Sequence, residues 1–307
     1  MTQLVQPLFT GPLDIVGDIH GEIDALGDLL GQLGYAEDGS HPRQRRLVFV
    51  GDLTDRGPDS PAVIDFVQRL VKAGRAQCVL GNHDLNILLG HHKHDNHWFY
   101  GEPWALDRSV EPTPAVLADD EVRGRVLKFF RSLPLVLERS GLRVVHACWK
   151  TSMVDMVRDA DDVVGLYETH RQRINAQLRQ SDPDPIDREL EHQNHNPVKV
   201  ITSGTERRVE TPFEASGKLR YEERVPWWHD YQADDLCIFG HYSLPQGKPH
   251  SFGKAHCIDY AVAKRWIERK APHFDGTFQA KLAALRIPEM TVIFDDGETD
   301  PLPNLDE

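Results

Sequence analysis

Six side chains of the kinds that bind divalent cations stand at the ends of short apolar runs. Asp18 and His20 follow Leu13–Val16, Asp52 follows residues 47–50, and Asn82 follows residues 77–80. His146 ends the run Leu142–Val145, and His241 comes after Ile238-Phe239-Gly240. A cation that activates water needs oxygen and imidazole donors on short, rigid supports, with coordination positions left open. Asp18 and His20 are two residues apart and can face one cleft. Asp52 can bridge two ions through its carboxylate, and Asn82 offers a neutral carbonyl oxygen. A single histidine at a strand end is more often structural. Five strand ends carrying such residues together are not the work of coincidental turns and caps.

The supports that must position these residues are legible in the first ninety positions. Leu13–Val16 leads into Gly17-Asp18-Ile19-His20-Gly21, after which Ile23, Leu26, Leu29, Leu30 and Leu33 recur at helical spacing up to Gly34. Residues 47–50 lead into Gly51-Asp52-Leu53-Thr54-Asp55-Arg56-Gly57, and Val63, Ile64, Val67, Leu70 and Val71 mark a second helix. Residues 77–80 lead into Gly81-Asn82-His83-Asp84 and another helical start. Strand, polar loop and helix in repetition predict βαβ units and a parallel sheet. Ligands of such sheets bind beyond the carboxyl ends of the strands, where all three loops lie.

Further along, residues 122–130 predict a helix, and residues 135–137 and Leu142–Val145 predict strands. Residues 111–114 read as a turn. The polar, proline-containing stretch 182–197 reads as a long surface excursion. Strands are expected again at 198–201, Leu236–Phe239, 255–258 and Thr291–Phe294, with a frayed acidic tail after Asp295.

The 307 residues suit one large α/β domain or two small ones. A formal charge of −13 speaks against nucleic acid or anionic lipid as partners. It does not exclude a phosphorylated substrate, because bound cations reverse the local field. The start of the chain lacks the pattern of a signal peptide, and no apolar run approaches the ~20 residues of a membrane span. Cys78, Cys148, Cys237 and Cys257 form no CxxC pair and read as reduced core thiols. These features together predict a cytoplasmic protein.

The motifs GDIHG, GDLTDRG, GNHD, VVHA and FGHY, in that order and spacing, resemble those of the calcineurin-like metallophosphoesterases. The resemblance is to the branch shared by Ser/Thr protein phosphatases and symmetrical diadenosine tetraphosphatases. The stretches LGYAEDGSHPRQRRLVFVGDLTDRGPDS and KLAALRIPEM are similar to its small bacterial tetraphosphatase-like members. The resemblance implies a four-layer α/β/β/α sandwich of two mixed sheets, formed by residues 1–307 as a single domain with a lobe at about 168–230. It implies two divalent metal ions, manganese foremost, with Fe, Zn, Co or Mg also compatible with the donors. Asp18 and His20 would bind the first ion, Asp52 both, and Asn82, His146 and His241 the second. Arg56 would grip a phosphate oxygen, and His83, oriented by Asp55, would be the general acid. Two ions ~3.5–4 Å apart acidify water and neutralise charge growing on a phosphoryl group.

The expected activity is hydrolysis of a phosphate ester or anhydride, with a nucleoside polyphosphate or phosphomonoester as substrate. Ser/Thr phosphoprotein phosphatase or phosphodiesterase activity shares the same ligands, and a catalytically silent metal-binding regulatory module is the alternative of another class. Several residues carry competing readings. Asp55 can cap the following helix, and Arg56 can be a surface ion-pair partner. Asp84 stands where protein phosphatases often carry glutamate. His91, His92, His94 and His97 match no closed metal site and read as a solvated surface. Trp227 and Trp228 can stack on a nucleobase or pack beneath the cleft. Arg224 is taken as the second phosphate-binding arginine, with Arg220, Arg207 and Arg208 as alternatives. Ile258-Asp259-Tyr260 replaces the Asp-Thr-Gly usual in the branch, so Tyr260 is expected to narrow the cleft or touch the ligand.

Overall fold

The computed structural model describes residues 3–93, 96–101, 115–215, 218–243 and 250–302. Two six-stranded sheets form its centre. One runs β1 (Val5–Pro7), β5 (Val136–Arg139), β6 (Leu142–Val145), β9 (Leu236–Phe239), β11 (Ala255–Cys257), β10 (His250–Phe252). The other runs β14 (Thr299–Pro301), β13 (Thr291–Phe294), β12 (Ala283–Ile287), β2 (Leu13–Val16), β3 (Arg46–Phe49), β4 (Ala76–Cys78). Both are mixed. Strands β2, β3 and β4 are parallel, whereas β12 pairs antiparallel with β2 and β13. In the first sheet β6, β9 and β11 are parallel, and β5 pairs antiparallel with β6.

The helices are α1 (Ile23–Leu33), α2 (Ser60–Lys72), α3 (Asn82–Leu88), α4 (His97–Tyr100), α5 (Asp120–Arg131), α6 (Thr151–Val157), α7 (Val163–Ser181), α8 (Pro185–His195), α9 (Pro197–Ser203) and α10 (Arg265–Arg269). A hairpin of β7 (Glu206–Ala215) and β8 (Lys218–Arg224) stands outside both sheets and packs on α8. The architecture is the expected four-layer α/β/β/α sandwich.

Burial on both faces explains why β3, and β2 apart from Asp14, read as near-continuous apolar runs rather than alternating ones. Helix α1 buries Ala25, Leu26, Leu29, Leu30 and Leu33, and Gly34 at φ 86° ends it in the left-handed conformation that glycine adopts without strain. Helix α2 begins where the Asp59 carboxylate accepts the Ala62 N–H at 2.9 Å. One apolar cluster joins residues of both sheets and of the helices against them. The four cysteines are buried and free, as expected. Among the described residues no helix is long and apolar enough to cross a membrane.

Three local expectations are corrected. Residues 198–201 are helical rather than extended, because Asn196 caps α9 through the Val198 N–H and Pro197 occupies its first turn. The stretch 182–197 is largely α8, whose Asp184 cap accepts the Ile186 and Asp187 N–H groups at 2.9 and 3.0 Å. The tail after Asp295 is paired, β14 lying antiparallel to β13. The turn expected at 111–114 lies outside the described residues.

Candidate metal centre

The motif loops leave β2, β3, β4, β6 and β9 at one edge and converge. Within one sheet Val50 closes beside β2 through its N–H to the Val16 carbonyl, and within the other the Gly240 N–H bonds to the His146 carbonyl. His146 Nδ1 against the Val50 carbonyl and the His241 N–H on Asp18 tie the two sheets' loops together. A Cβ on Gly240 would run into Asp18 Oδ1, and one on Gly81 into Asp52, so only glycine allows these approaches. Five non-glycine residues here hold left-handed backbone: His20 (φ 49°), Asp52 (48°), Asp55 (72°), Arg56 (68°) and His241 (70°). Such conformations are rare for side-chain-bearing residues and collect at functional sites.

The six expected ligands are all brought to this edge, and all but Asn82 are fully buried there. Donor atoms of His20, Asp52 and His83 lie within 4.8 Å of one another, and so do those of Asp52, His146 and His241. Asp52 belongs to both trios. Its Oδ2 is 3.7 Å from His20 Nε2 and 3.4 Å from His146 Nε2. Asp18 approaches His20 Nε2 at 3.9 Å and accepts the His241 N–H at 3.1 Å, but it joins neither trio. The Asn82 carbonyl oxygen faces His146 Nε2 at 3.1 Å and His241 Nδ1 at 2.8 Å. Backbone carbonyls fix the rings from behind: Thr54 binds His20 Nδ1 and Val50 binds His146 Nδ1.

The electrostatics of this cluster are those of a site short of positive charge. Burial, then the nearby Asp259 and Asp52 carboxylates, push the Asp18 carboxyl well above its usual range. Burial lowers His20 to about 4, aided by the Arg56 charge. Burial also opposes protonation of His146, but Asp52, Asp18 and the Val50 carbonyl outweigh it and raise this imidazole to about 10. Asp52 would be raised by burial, yet the surrounding histidines hold it well below the ordinary carboxylate value. Burial keeps His241 neutral, and its Nε2 is buried without a hydrogen-bond partner among the described residues. Clustered carboxylates around His146, with His20 and His241 held neutral by burial, are a donor set that fits divalent cations.

Beside the trios, His83 Nδ1 and Asp55 Oδ2 lie 2.7 Å apart, and Asp55 Oδ1 accepts the Trp98 indole N–H at 2.7 Å. Asp84 accepts N–H bonds from Leu53 and Gly81 and a hydroxyl bond from Thr54, stitching the second and third loops together. Arg56 lines the cleft and makes no hydrogen bond or ion pair with any described residue. The cleft has a volume of about 380 Å³, and α8, α9 and β8 form its far wall.

Of the arginines weighed for phosphate binding, Arg220 and Arg224 reach this cleft, Arg224 through an N–H donated to the His241 carbonyl at 2.9 Å. Arg207 and Arg208 lie elsewhere on the hairpin, paired with Glu223 and with Asp184 and Asp187. Tyr260 does not line the cleft. The Asp259 carboxylate holds the turn by accepting the Ser243 and Ala261 N–H groups, and Tyr260 packs on Phe294 in the core. Trp227 and Trp228 pack beside Phe239, with the Trp227 indole bonded to the Ala147 carbonyl. The histidine-rich segment is not a solvated surface throughout: His97 is buried, His92 stacks on Tyr100, and His91 reaches the cleft. His94 lies outside the described residues.

Two residues at the site, Asp259 and Trp98, are not among the site residues expected from the sequence. Asp259 ends an apolar run as the other site residues do, so a signal existed. Trp98 offered none.

A family model described as calcineurin-like phosphoesterase matches residues 11–267. The chain is 27% identical over 292 residues, covering 92% of each protein, to bis(5'-nucleosyl)-tetraphosphatase PrpE [asymmetrical] of Geobacillus thermodenitrificans. It is 37% identical over 145 residues to the PrpE of Bacillus velezensis, covering 44% of this chain and 55% of that one. In several such alignments, that one included, the chain spans about half the length of the curated relatives it matches. A cold-active protein-tyrosine phosphatase of a psychrophilic Shewanella has a similar fold (TM-score 0.53, 14% identity), covering 99% of this chain and 83% of that one. With the loop-borne donors at the sheet edge, the match over residues 11–267 shows that the chain belongs to the calcineurin-like phosphoesterase family.

Proposed function

We propose that the chain is a dinuclear metal-dependent phosphoesterase acting on a phosphate ester or anhydride, with a nucleoside polyphosphate or phosphomonoester as substrate. The observation that carries this reading is Asp52, shared between two donor trios within 4.8 Å. Asp18, His20, Asp52, Asn82, His146 and His241 would hold the two ions, manganese being the metal to test before Fe, Zn, Co and Mg. When bound, such ions supply an activated water and neutralise phosphoryl charge.

The chain's own residues do the rest. Arg56, free of partners among the described residues, offers its planar guanidinium to two phosphate oxygens. His83 donates a proton to the leaving oxygen, and Asp55 accepts a hydrogen bond from its Nδ1–H and so favours the protonated ring. The Trp98 indole holds Asp55 in that role. A retained proton donor and an unpaired phosphate clamp speak against a silent regulatory module. The names of the relatives favour a nucleoside polyphosphate over a phosphoprotein.

The test is turnover of an aryl phosphate in manganese buffer. His83→Ala should lower kcat by roughly 10²–10⁴-fold, and Asp52→Ala by at least as much. Undiminished rates in both variants would overturn the mechanism. Parallel rates on dinucleoside tetraphosphate, a phosphopeptide and a bis-aryl phosphate rank the substrate classes.

A further inference from the structure

The cleft is lined by two lysines that the mechanism above leaves unused. Lys93 follows His91 and His92, and Lys199 stands on α9. Both line the cleft that also contains Arg56 and the metal ligands. Among the described residues neither ammonium group makes a hydrogen bond or an ion pair. Lys199 is only partly exposed, and burial together with the Lys93 charge lowers its pKa.

Acidic neighbours do not satisfy them. Glu189 and Glu206 line the same cleft and attract Lys199, but neither comes within ion-pair distance of it. Burial pushes the Glu206 carboxyl upward, and Glu222 is engaged by Arg220 at 3.6 Å. Arg224 is already committed to the His241 carbonyl and lies over the Tyr242 ring. Lys199, half-buried and opposed by the like charge of the exposed Lys93, is stabilised when an anion arrives. Lysines, as flexible point charges, suit a phosphate chain that must shift along the cleft, whereas the forked guanidinium suits a phosphate held in one orientation.

We infer that Lys93 and Lys199 form an anion subsite for the phosphates of a nucleoside polyphosphate beyond the one engaged by Arg56. The inference rests on the phosphoesterase reading and adds a basis for selection: a monoester needs Arg56 alone, whereas a polyphosphate chain offers further phosphates to the lysines.

Two measurements test it. In steady-state kinetics, Lys93→Met and Lys199→Met should each lower the ratio of kcat/KM for dinucleoside tetraphosphate over aryl phosphate by about tenfold, the usual loss of one charge-assisted contact. Lys199→Arg, which keeps the charge, should retain most of that ratio and guards against a folding defect. Calorimetry on metal-stripped protein should show tripolyphosphate bound more tightly than orthophosphate, and the double methionine variant should lose that preference. An unchanged ratio in both single variants would overturn the subsite. So would an equal loss on a singly phosphorylated peptide, or an equal preference for tripolyphosphate in the double variant. Wild-type protein that binds tripolyphosphate through these lysines but hydrolyses no phosphate would sink the hydrolytic reading and leave the subsite standing.

Discussion

Asp14 lies on β2 and Asp18 just beyond its end, and both are buried, yet the chain treats them in opposite ways. Asp14 accepts a hydrogen bond from the Tyr35 hydroxyl at 2.8 Å, from Arg45 Nε at 2.8 Å and from Arg286 Nε at 2.9 Å. Arg45 is in turn satisfied by Glu289 and by the Leu13 and Ile287 carbonyls. Asp18 receives one backbone N–H and sits among Asp52, Asp259 and His20. At one end of the strand the chain supplies its own counter-charges and gains a fixed joint between β2, β12 and the approach to β3. At the other it supplies none, and the clustered donors suit a divalent cation.

Breaking the satisfied end should have the largest effect on stability. Asp14→Ala leaves Arg45 buried without its main partner and should cost about 3–5 kcal/mol, read as a shift in urea midpoint at constant slope. A loss under about 1 kcal/mol would mean that the arginines find water instead and that the contrast between the two ends is false.

His256 is a third kind of buried group, with neither ring nitrogen partnered among the described residues, and burial lowers it to about 4 from its ordinary 6.5. Because the folded chain refuses a proton that the unfolded chain accepts, stability falls as pH drops below 6.5 and levels off below 4. Relative to His256→Leu, the wild type should lose about 3 kcal/mol between pH 7.5 and pH 4. A pH-independent difference would show that the ring is satisfied in solution.

The smallest effect is the most diagnostic. Asp18→Asn removes a charge that the metal-free chain does not balance, so the stripped variant should be more stable than wild type by about 1 kcal/mol at pH 8. Wild type should gain about 2.7 kcal/mol from manganese at a hundred times its dissociation constant, and the variant much less. Equal gains from manganese in the two proteins would remove Asp18 from the ligand set.

The site was more legible in the sequence than the elements around it. Asp18, Asp52 and Asn82 each follow an apolar strand by a fixed short spacing, so their convergence follows from βαβ geometry alone. His146 and His241 repeat the pattern in the other sheet. What was illegible depended on competition between local signals. The β-branched run Val198-Lys199-Val200-Ile201 favours a strand, but the Asn196 cap and Pro197 outweigh it. Tyr260 follows Asp259 into the same turn, and only the side-chain bonds made by Asp259 decide which of the two faces the cleft. Trp98 meets Asp55 across 43 positions, a contact that no periodicity encodes.

The left-handed torsions at His20, Asp52, Asp55, Arg56 and His241 filter the amino-acid alphabet twice over. A replacement must keep the donor chemistry and also tolerate a backbone that valine, isoleucine and threonine resist. Asparagine passes the torsional filter most readily, and glycine passes it while discarding the chemistry. Variation within this pocket is therefore confined to a narrow set of exchanges. Gradual drift toward another specificity has more freedom on the lysine-bearing wall, where α9 holds an ordinary helical backbone.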